Sequence, residues 1–315
     1  MERFFRINIG CQKPLSESKQ RFPVVIFSHG LSACRYFYTI FCSSLASHGY
    51  IIAAIEHRDR SACWTYKLYT NGTSSNLVEK PILLRKLAPN EDEFKIRNQQ
   101  LHMRTAECIK LFHVLEELNL GHCAPVGSQQ MGSKIILSLQ FDWSQFKDRL
   151  DMNRTAIIGH SFGGATAIAT SAVSADFAAT VVLDGWMMPI EKELYPRSLQ
   201  PTLFLNAEQF QWASNVDLMY KLGNNSARNI ILTLKETAHQ AFTDFPFLLP
   251  NFLTRRFGFT GKIDPIICME AVVSLTLQFL KQNFDGEENG LDSIISRYSN
   301  FIVEGTTLEL NMPLT

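Results

Sequence analysis

Gly159-His160-Ser161-Phe162-Gly163 spells G-x-S-x-G, the spacing of a serine raised as a nucleophile on a sharp strand-to-helix bend. The flanking glycines let strand and helix approach closely while the serine takes a strained backbone position. Context sharpens the pattern: the apolar run Thr155–Gly159 leads in, and the small-residue run Gly164–Ala169 leads out. A serine hydroxyl attacks only when a base removes its proton. One histidine, His239, lies downstream of Ser161, just past the apolar run Asn229–Thr233. That position makes His239 the candidate base.

An imidazole base needs a carboxylate to fix its tautomer and to stabilise the imidazolium. Asp184 ends the run Thr180–Leu183, and Glu208 follows Thr202–Leu205. Residue pattern leaves both open, although the commoner layout, with the acid after the later strand, favours Glu208. Acyl transfer also concentrates charge on one oxygen, so two inward-facing amides are required. The N–H of Phe162, directly after the nucleophile, supplies one; the loop Ser28-His29-Gly30-Leu31 supplies the other through Leu31. Losing one such donor costs about 3–4 kcal/mol of transition-state stabilisation. His29 is expected to order this loop, not to touch substrate. Trp186, Met187 and Met188 suit an acyl pocket and core filling equally.

These groups need a scaffold. Pro23–Ser28, Tyr50–Ile55, Thr155–Gly159, Thr180–Leu183, Thr202–Leu205 and Asn229–Thr233 read as strands. Their continuous apolar character suits a parallel sheet covered on both faces. Helices are expected over Phe37–His48, closed by Gly49, and over Asn98–Leu118, closed by Gly121. In the second, Leu101, Ala106, Ile109, Phe112, His113 and Leu115 would share one stripe. Cys268–Phe279 reads as the terminal helix. Strand–helix alternation argues one doubly wound α/β domain over 1–315, with loop insertions at 60–98 and 121–140.

Bulk composition narrows the partners. The 315 residues are 46% hydrophobic, enough for a substantial core, and 30 basic residues balance 30 acidic ones. No field of one sign exists to gather nucleic acid. Glu56-His57-Arg58-Asp59-Arg60 reads as a solvated or salt-bridged turn, and no metal-ligand spacing is present, so neither metal nor cofactor is expected. Seven cysteines without a C-x-x-C pair read as reduced, small buried side chains in a cytosolic setting. Met1–Pro14 lacks the apolar segment of a signal peptide, and no uninterrupted apolar run is long enough to span a bilayer.

Several blocks together resemble the platelet-activating factor acetylhydrolase family, the lipoprotein-associated and intracellular type II phospholipases of α/β-hydrolase fold. The blocks are Phe27–Leu31, Glu56–Ala62, Gly159–Ala165, Leu183–Met187 and His239-Gln240, in a similarity running from about Phe22 to Gly305. The resemblance implies hydrolysis of the acetyl, short or oxidised sn-2 acyl ester of glycerophospholipids. It implies Asp184 as the acid, with Leu31 and Phe162 at the oxyanion hole. It also implies contact with a membrane or lipoprotein surface, for which Phe245–Leu253 is apolar enough. The chain departs from the pattern at Ser32, where glycine is usual, at Cys34, where an aromatic is usual, and at Gly185, where alanine is usual. About twenty residues precede the first strand where the family has a longer region with edge strands. The fold is therefore expected to be shortened at the N-terminus, with one sheet edge exposed and secretion dependent on the true start. The rival expectations are a general soluble carboxylesterase and a catalytically silent short isoform; the residues do not specify an oligomeric state.

Overall fold

A computed structural model describes residues 14–18, 20–70, 77–122, 142–222, 229–248, 250–287 and 290–309. Its centre is a seven-stranded sheet of order β2-β1-β5-β6-β7-β8-β9. The strands are β1 (Phe22–Ser28), β2 (Ile51–Ile55), β5 (Leu150–His160), β6 (Ala179–Leu183), β7 (Thr202–Ala207), β8 (Ile230–Leu234) and β9 (Ile302–Glu304). Pairings from β2 across to β8 are all parallel, and β9 alone runs antiparallel. The six expected strands are all present, and the fold is the mostly parallel α/β sheet that the apolar runs required.

Two-sided burial explains those runs. Side chains alternate across a strand, so Val25 and Phe27 of β1 enter one core while Val24 and Ile26 enter another. In β6, Val181 and Leu183 face the first core and Val182 faces a third. Helices α1 (Thr39–Ser47) and α7 (Pro265–Asp285) pack on the first face. Helices α2 (Glu93–Leu120) and α3 (Phe162–Val173) pack on the other. Capping sets the ends of the long helices: the Asp92 side chain accepts from Lys95 N at 3.1 Å, and Asp264 accepts from Ile266 N at 2.9 Å.

Four expectations need correction. The 60–98 segment is not a plain loop: β3 (Thr65–Thr70) and β4 (Leu77–Ile82) form an antiparallel hairpin, and α2 already begins at Glu93. Within α2, Ala106 and His113 are exposed; the buried stripe is Arg97, Gln100, Leu101, Arg104, Thr105, Cys108, Phe112, Leu115 and Leu118. An i, i+3, i+4 rule followed through polar residues would have found it. Cys268–Phe279 is the middle of α7, and it is followed by α8 (Gly290–Arg297) and β9. Among the thiols, Cys34, Cys108 and Cys268 are buried and free as expected, whereas free Cys63 is exposed. The 121–140 insertion, Cys11 and Cys123 lie outside the described residues, apart from Gly121 and His122. Strand β2 forms one edge of the sheet among the described residues, all five of its side chains half-buried. No helix among the described residues is long and apolar enough to cross a membrane.

Candidate active site

Every site residue singled out above follows the carboxyl end of a strand in the parallel sheet, the edge where open α/β folds bind ligands. Strand register brings them together: Ser28 pairs with Gly159, His160 with Leu183, and Leu183 with Leu205. The ladder then runs one step past the strand ends. Ser161 N–H donates to Leu183 O at 2.9 Å, and Asp184 N–H donates to Leu205 O at 2.8 Å.

Ser161 has φ 58° and ψ −117°, a strained conformation for a residue with a Cβ. It persists because the chain is pinned on both sides. A Cβ at Gly159 would lie 1.9 Å from Gly163 O, and one at Gly163 would lie 2.0 Å from Ser28 O. Only glycine permits that approach, so the bend cannot relax outward. Trp186 N–H holds the Ser161 carbonyl at 3.0 Å. The serine hydroxyl takes no hydrogen-bond partner among the described residues; nucleophile–base contacts commonly tighten only when substrate is bound.

His239 opens a single helical turn after β8, and its Nδ1–H donates to Asp184 Oδ2 at 2.6 Å. The other Asp184 oxygen accepts from Ala207 N–H at 2.8 Å. Glu208, the alternative acid, faces elsewhere: its Oε2 accepts from Glu236 N–H at 2.7 Å. Burial raises the Asp184 carboxyl well above the usual carboxylate range and lowers the His239 imidazole to about 3. Both directions follow from the cost of charge in a dry site. A neutral imidazole with its proton on Nδ1 leaves Nε2 free to accept one. Phe210 stacks on the His239 ring with centroids 3.6 Å apart, fixing its plane.

Leu31 follows Gly30, where a Cβ would lie 3.2 Å from Ser161 Cβ. Its side chain packs on the cluster that contains Phe162. Neither the Leu31 N–H nor the Phe162 N–H has an acceptor among the described residues. Two unpaired amides flanking one strained serine is the geometry an oxyanion would occupy. Beside them, Trp186 packs edge-on to Phe162 and, with Met188, Phe94 and Trp212, lines a cavity of about 510 Å³. Met187 is core instead, fully buried.

Three further groups escaped the sequence reading. His160 accepts the Tyr38 hydroxyl proton at Nδ1 (3.0 Å) and donates from Nε2 to His239 O (3.1 Å). Tyr38 in turn accepts from Gly30 N–H at 3.0 Å. One buried phenol thus links the Gly30–Leu31 loop, the bend at Ser161 and, through His160, the backbone of His239. Arg104 is wholly buried: Nη1 donates to His29 O at 2.6 Å, Nε pairs with Asp59 Oδ2 at 3.0 Å, and the guanidinium covers the Phe162 ring at 4.3 Å. Of the two expectations for the 56–60 cluster, the salt-bridged one holds and the solvated one does not: Asp59 pairs with Arg104 and His57 with Glu107, and both His57 and Asp59 are buried beneath the loop. His29 is buried as well, its Nδ1–H donating to Gly30 O at 2.8 Å, and burial lowers its basicity. The signals were present in the histidine of G-H-S-F-G and in an arginine recurring on the α2 stripe.

Residues 5–298 match the family described as platelet-activating factor acetylhydrolase, isoform II. A platelet-activating factor acetylhydrolase of Gallus gallus is 33% identical across 98% of this chain and 75% of its own length. One of Bos taurus is 35% identical across 92% of this chain and 64% of its own length, so the chain spans under two thirds of that relative. A ferulic acid esterase from Streptomyces cinnamoneus shares the fold at TM-score 0.61 and 19% identity, over 90% of this chain and 74% of its own. With its elbow, strand order and sequence all in agreement, the chain belongs to the isoform II platelet-activating factor acetylhydrolases, a family of ester hydrolases of α/β-hydrolase fold.

Proposed function

We propose that this chain hydrolyses the sn-2 acetyl, short or oxidised acyl ester of glycerophospholipids, with Ser161, His239 and Asp184 as catalytic triad. The observation that carries the reading is the 2.6 Å Asp184–His239 bond beside a strained Ser161 flanked by two unpaired amides. His239 Nε2 takes the Ser161 proton as Oγ attacks the ester carbonyl. The oxyanion is held by Leu31 N–H and Phe162 N–H. Collapse breaks the ester bond, His239 protonates the leaving lysophospholipid, and water then hydrolyses the acyl-enzyme along the same path. No step calls on calcium or a cofactor. The Trp186–Met188 cavity, joined to the site through the Trp186–Phe162 contact, would receive the acyl chain. Leu248, Phe252, Phe257, Ile266 and Ile267, all exposed, would meet a lipid surface.

Turnover of 2-acetyl, oxidised-acyl and long-chain phosphatidylcholines should be compared with that of a water-soluble ester, each in calcium and in EDTA. Acetyl and oxidised lipids are expected to be cleaved equally in both and to survive intact with Ser161→Ala. Cleavage of the soluble ester alone would assign a general carboxylesterase. An absence of turnover together with no labelling by an organophosphonate would assign a catalytically silent chain.

A further inference from the structure

Cys34 and Cys63 lie far apart in sequence, yet the backbone holds them side by side. Ser32 N–H donates to Ser61 O at 2.8 Å, and Cys63 N–H donates to Ala33 O at 2.9 Å, so residues 32–34 run against 61–63. Besides burial, the nearness of Cys63 pushes the Cys34 thiol pKa up. One is reachable and one is not: Cys63 is exposed and Cys34 is buried, and both are free. Cys34 precedes the helical turn Arg35–Tyr38 that carries the Tyr38 hydroxyl to Gly30 N–H and to His160. Segment 61–63 is tied in turn to Arg104 through Ser61 Oγ, at 3.0 Å from Nε.

We infer that Cys34 and Cys63 form a thiol–disulfide exchange site that takes a small-molecule disulfide, such as glutathione disulfide, and closes into an internal bridge stapling the loop that carries Leu31. The Cys63 thiolate attacks one sulfur of glutathione disulfide, forming a mixed disulfide and expelling one glutathione thiolate. Cys34 loses its proton to solvent, and its sulfur attacks the Cys63 sulfur, expelling the second glutathione thiolate. Two protein thiols are oxidised as one glutathione disulfide is reduced to two thiols, which take up the protons released. Burial pushes the Cys34 thiol up to about 11, which makes exposed Cys63 the point of entry and Cys34 the slower, resolving partner. The site is independent of the esterase reading, because its chemistry is read from mass and not from turnover.

The test is incubation of the full chain with glutathione disulfide, then intact mass, peptide mapping without reductant, and melting. Wild type is expected to lose two hydrogens, with the Cys34 and Cys63 peptides joined. Its midpoint should rise by about 5 °C, as a ring closed across residues 34–63 restrains the unfolded chain, and dithiothreitol should reverse the rise. Cys34→Ser should stop at a glutathione adduct on Cys63, and Cys63→Ser should leave Cys34 unmodified. A persisting adduct on Cys63 of the wild type, a bridge between other cysteines, or no reaction would each overturn the inference, whether or not the protein proves to be an esterase.

Discussion

Replacing Arg104 with lysine keeps a positive charge in the interior but removes the planar fork. Arg104 reaches three partners at once: His29 O at 2.6 Å, Asp59 Oδ2 at 3.0 Å, and Ser61 Oγ, 2.5 Å from Nη2. A lysine ammonium is a compact point charge on a flexible stem and cannot span that set. Pairing with buried Asp59 is the geometry it would keep, since an unpaired buried carboxylate costs about 3–5 kcal/mol. The bond to His29 O is the one it would surrender, at about 1–3 kcal/mol of stability. That carbonyl immediately precedes Gly30 and Leu31, so its release lets the Leu31 amide drift. Complete loss of an oxyanion donor costs roughly 10²–10³ in kcat; partial misalignment should cost about 10-fold, with KM nearly unchanged. Steady-state kinetics on a short-chain ester, alongside urea denaturation, separates the two effects. Arg104→Met combined with Asp59→Asn should recover much of the stability by removing both charges, while kcat stays low. Wild-type kcat in Arg104→Lys at reduced stability would refute the reasoning and leave the network as scaffold only.

If the proposed triad operates, Asp184→Asn should lower kcat roughly 10⁴-fold, as it does in Ser-His-Asp enzymes: with its carbonyl held by Ala207 N–H, the amide would turn its NH2 toward His239 Nδ1 and force the wrong tautomer. Glu208→Gln should be mild by the same assay, because Glu208 bonds Glu236 N–H and not the imidazole; the reverse ranking would reject the assigned acid. Stability should fall as pH drops below 6.5, since burial lowers His29, His57, His160 and His239 and the unfolded chain then binds more protons. Asp184, Asp244 and Glu107, the last raised to about 7, oppose this in part, so the net fall between pH 6.5 and 5 is smaller than the four histidines alone would give. Urea midpoints at pH 7 and 5.5 check it, and a flat or rising profile toward acid would contradict it.

The parallel strands were legible because two-sided burial leaves a continuous apolar run, and Thr155–Gly159 and Thr202–Leu205 carry that mark without ambiguity. Strand β9 was not, because three residues, Ile302–Glu304, offer no period to read. The β3–β4 hairpin was hidden for a related reason: its sequence is polar and mixed, and outside the main sheet no apolar face is demanded of it. Ser161 and His239 stood out by motif and by uniqueness. The acid could not be chosen from pattern, since Asp184 and Glu208 each follow a strand; the proposal of Asp184 rests on the Ala207 N–H holding its side chain toward the imidazole while the Glu236 N–H holds Glu208 away.

Arg104 shows where sequence logic inverts. A charged residue on a helix is ordinarily assigned to solvent, and His57 and Asp59 in a run of alternating charge to a wet or salt-bridged surface turn. Here the charges neutralise one another in the interior, and the arrangement serves a loop that has no strand of its own to lean on. Residues 29–31 leave β1 and turn with a single backbone bond among the described residues, Ala33 N–H to Gly30 O at 3.3 Å, so their geometry leans on side chains: Arg104 on His29 O, Tyr38 on Gly30 N–H, and the His29 ring on Gly30 O. Directional bonds in a dry site fix orientation more tightly than apolar contact does, because each misaligned donor is left unsatisfied at a cost of about 1–3 kcal/mol. The strands thus set where the nucleophile stands, and the buried polar layer beneath the loop sets which way the Leu31 amide faces. A change in that layer should leave the fold standing and alter the chemistry.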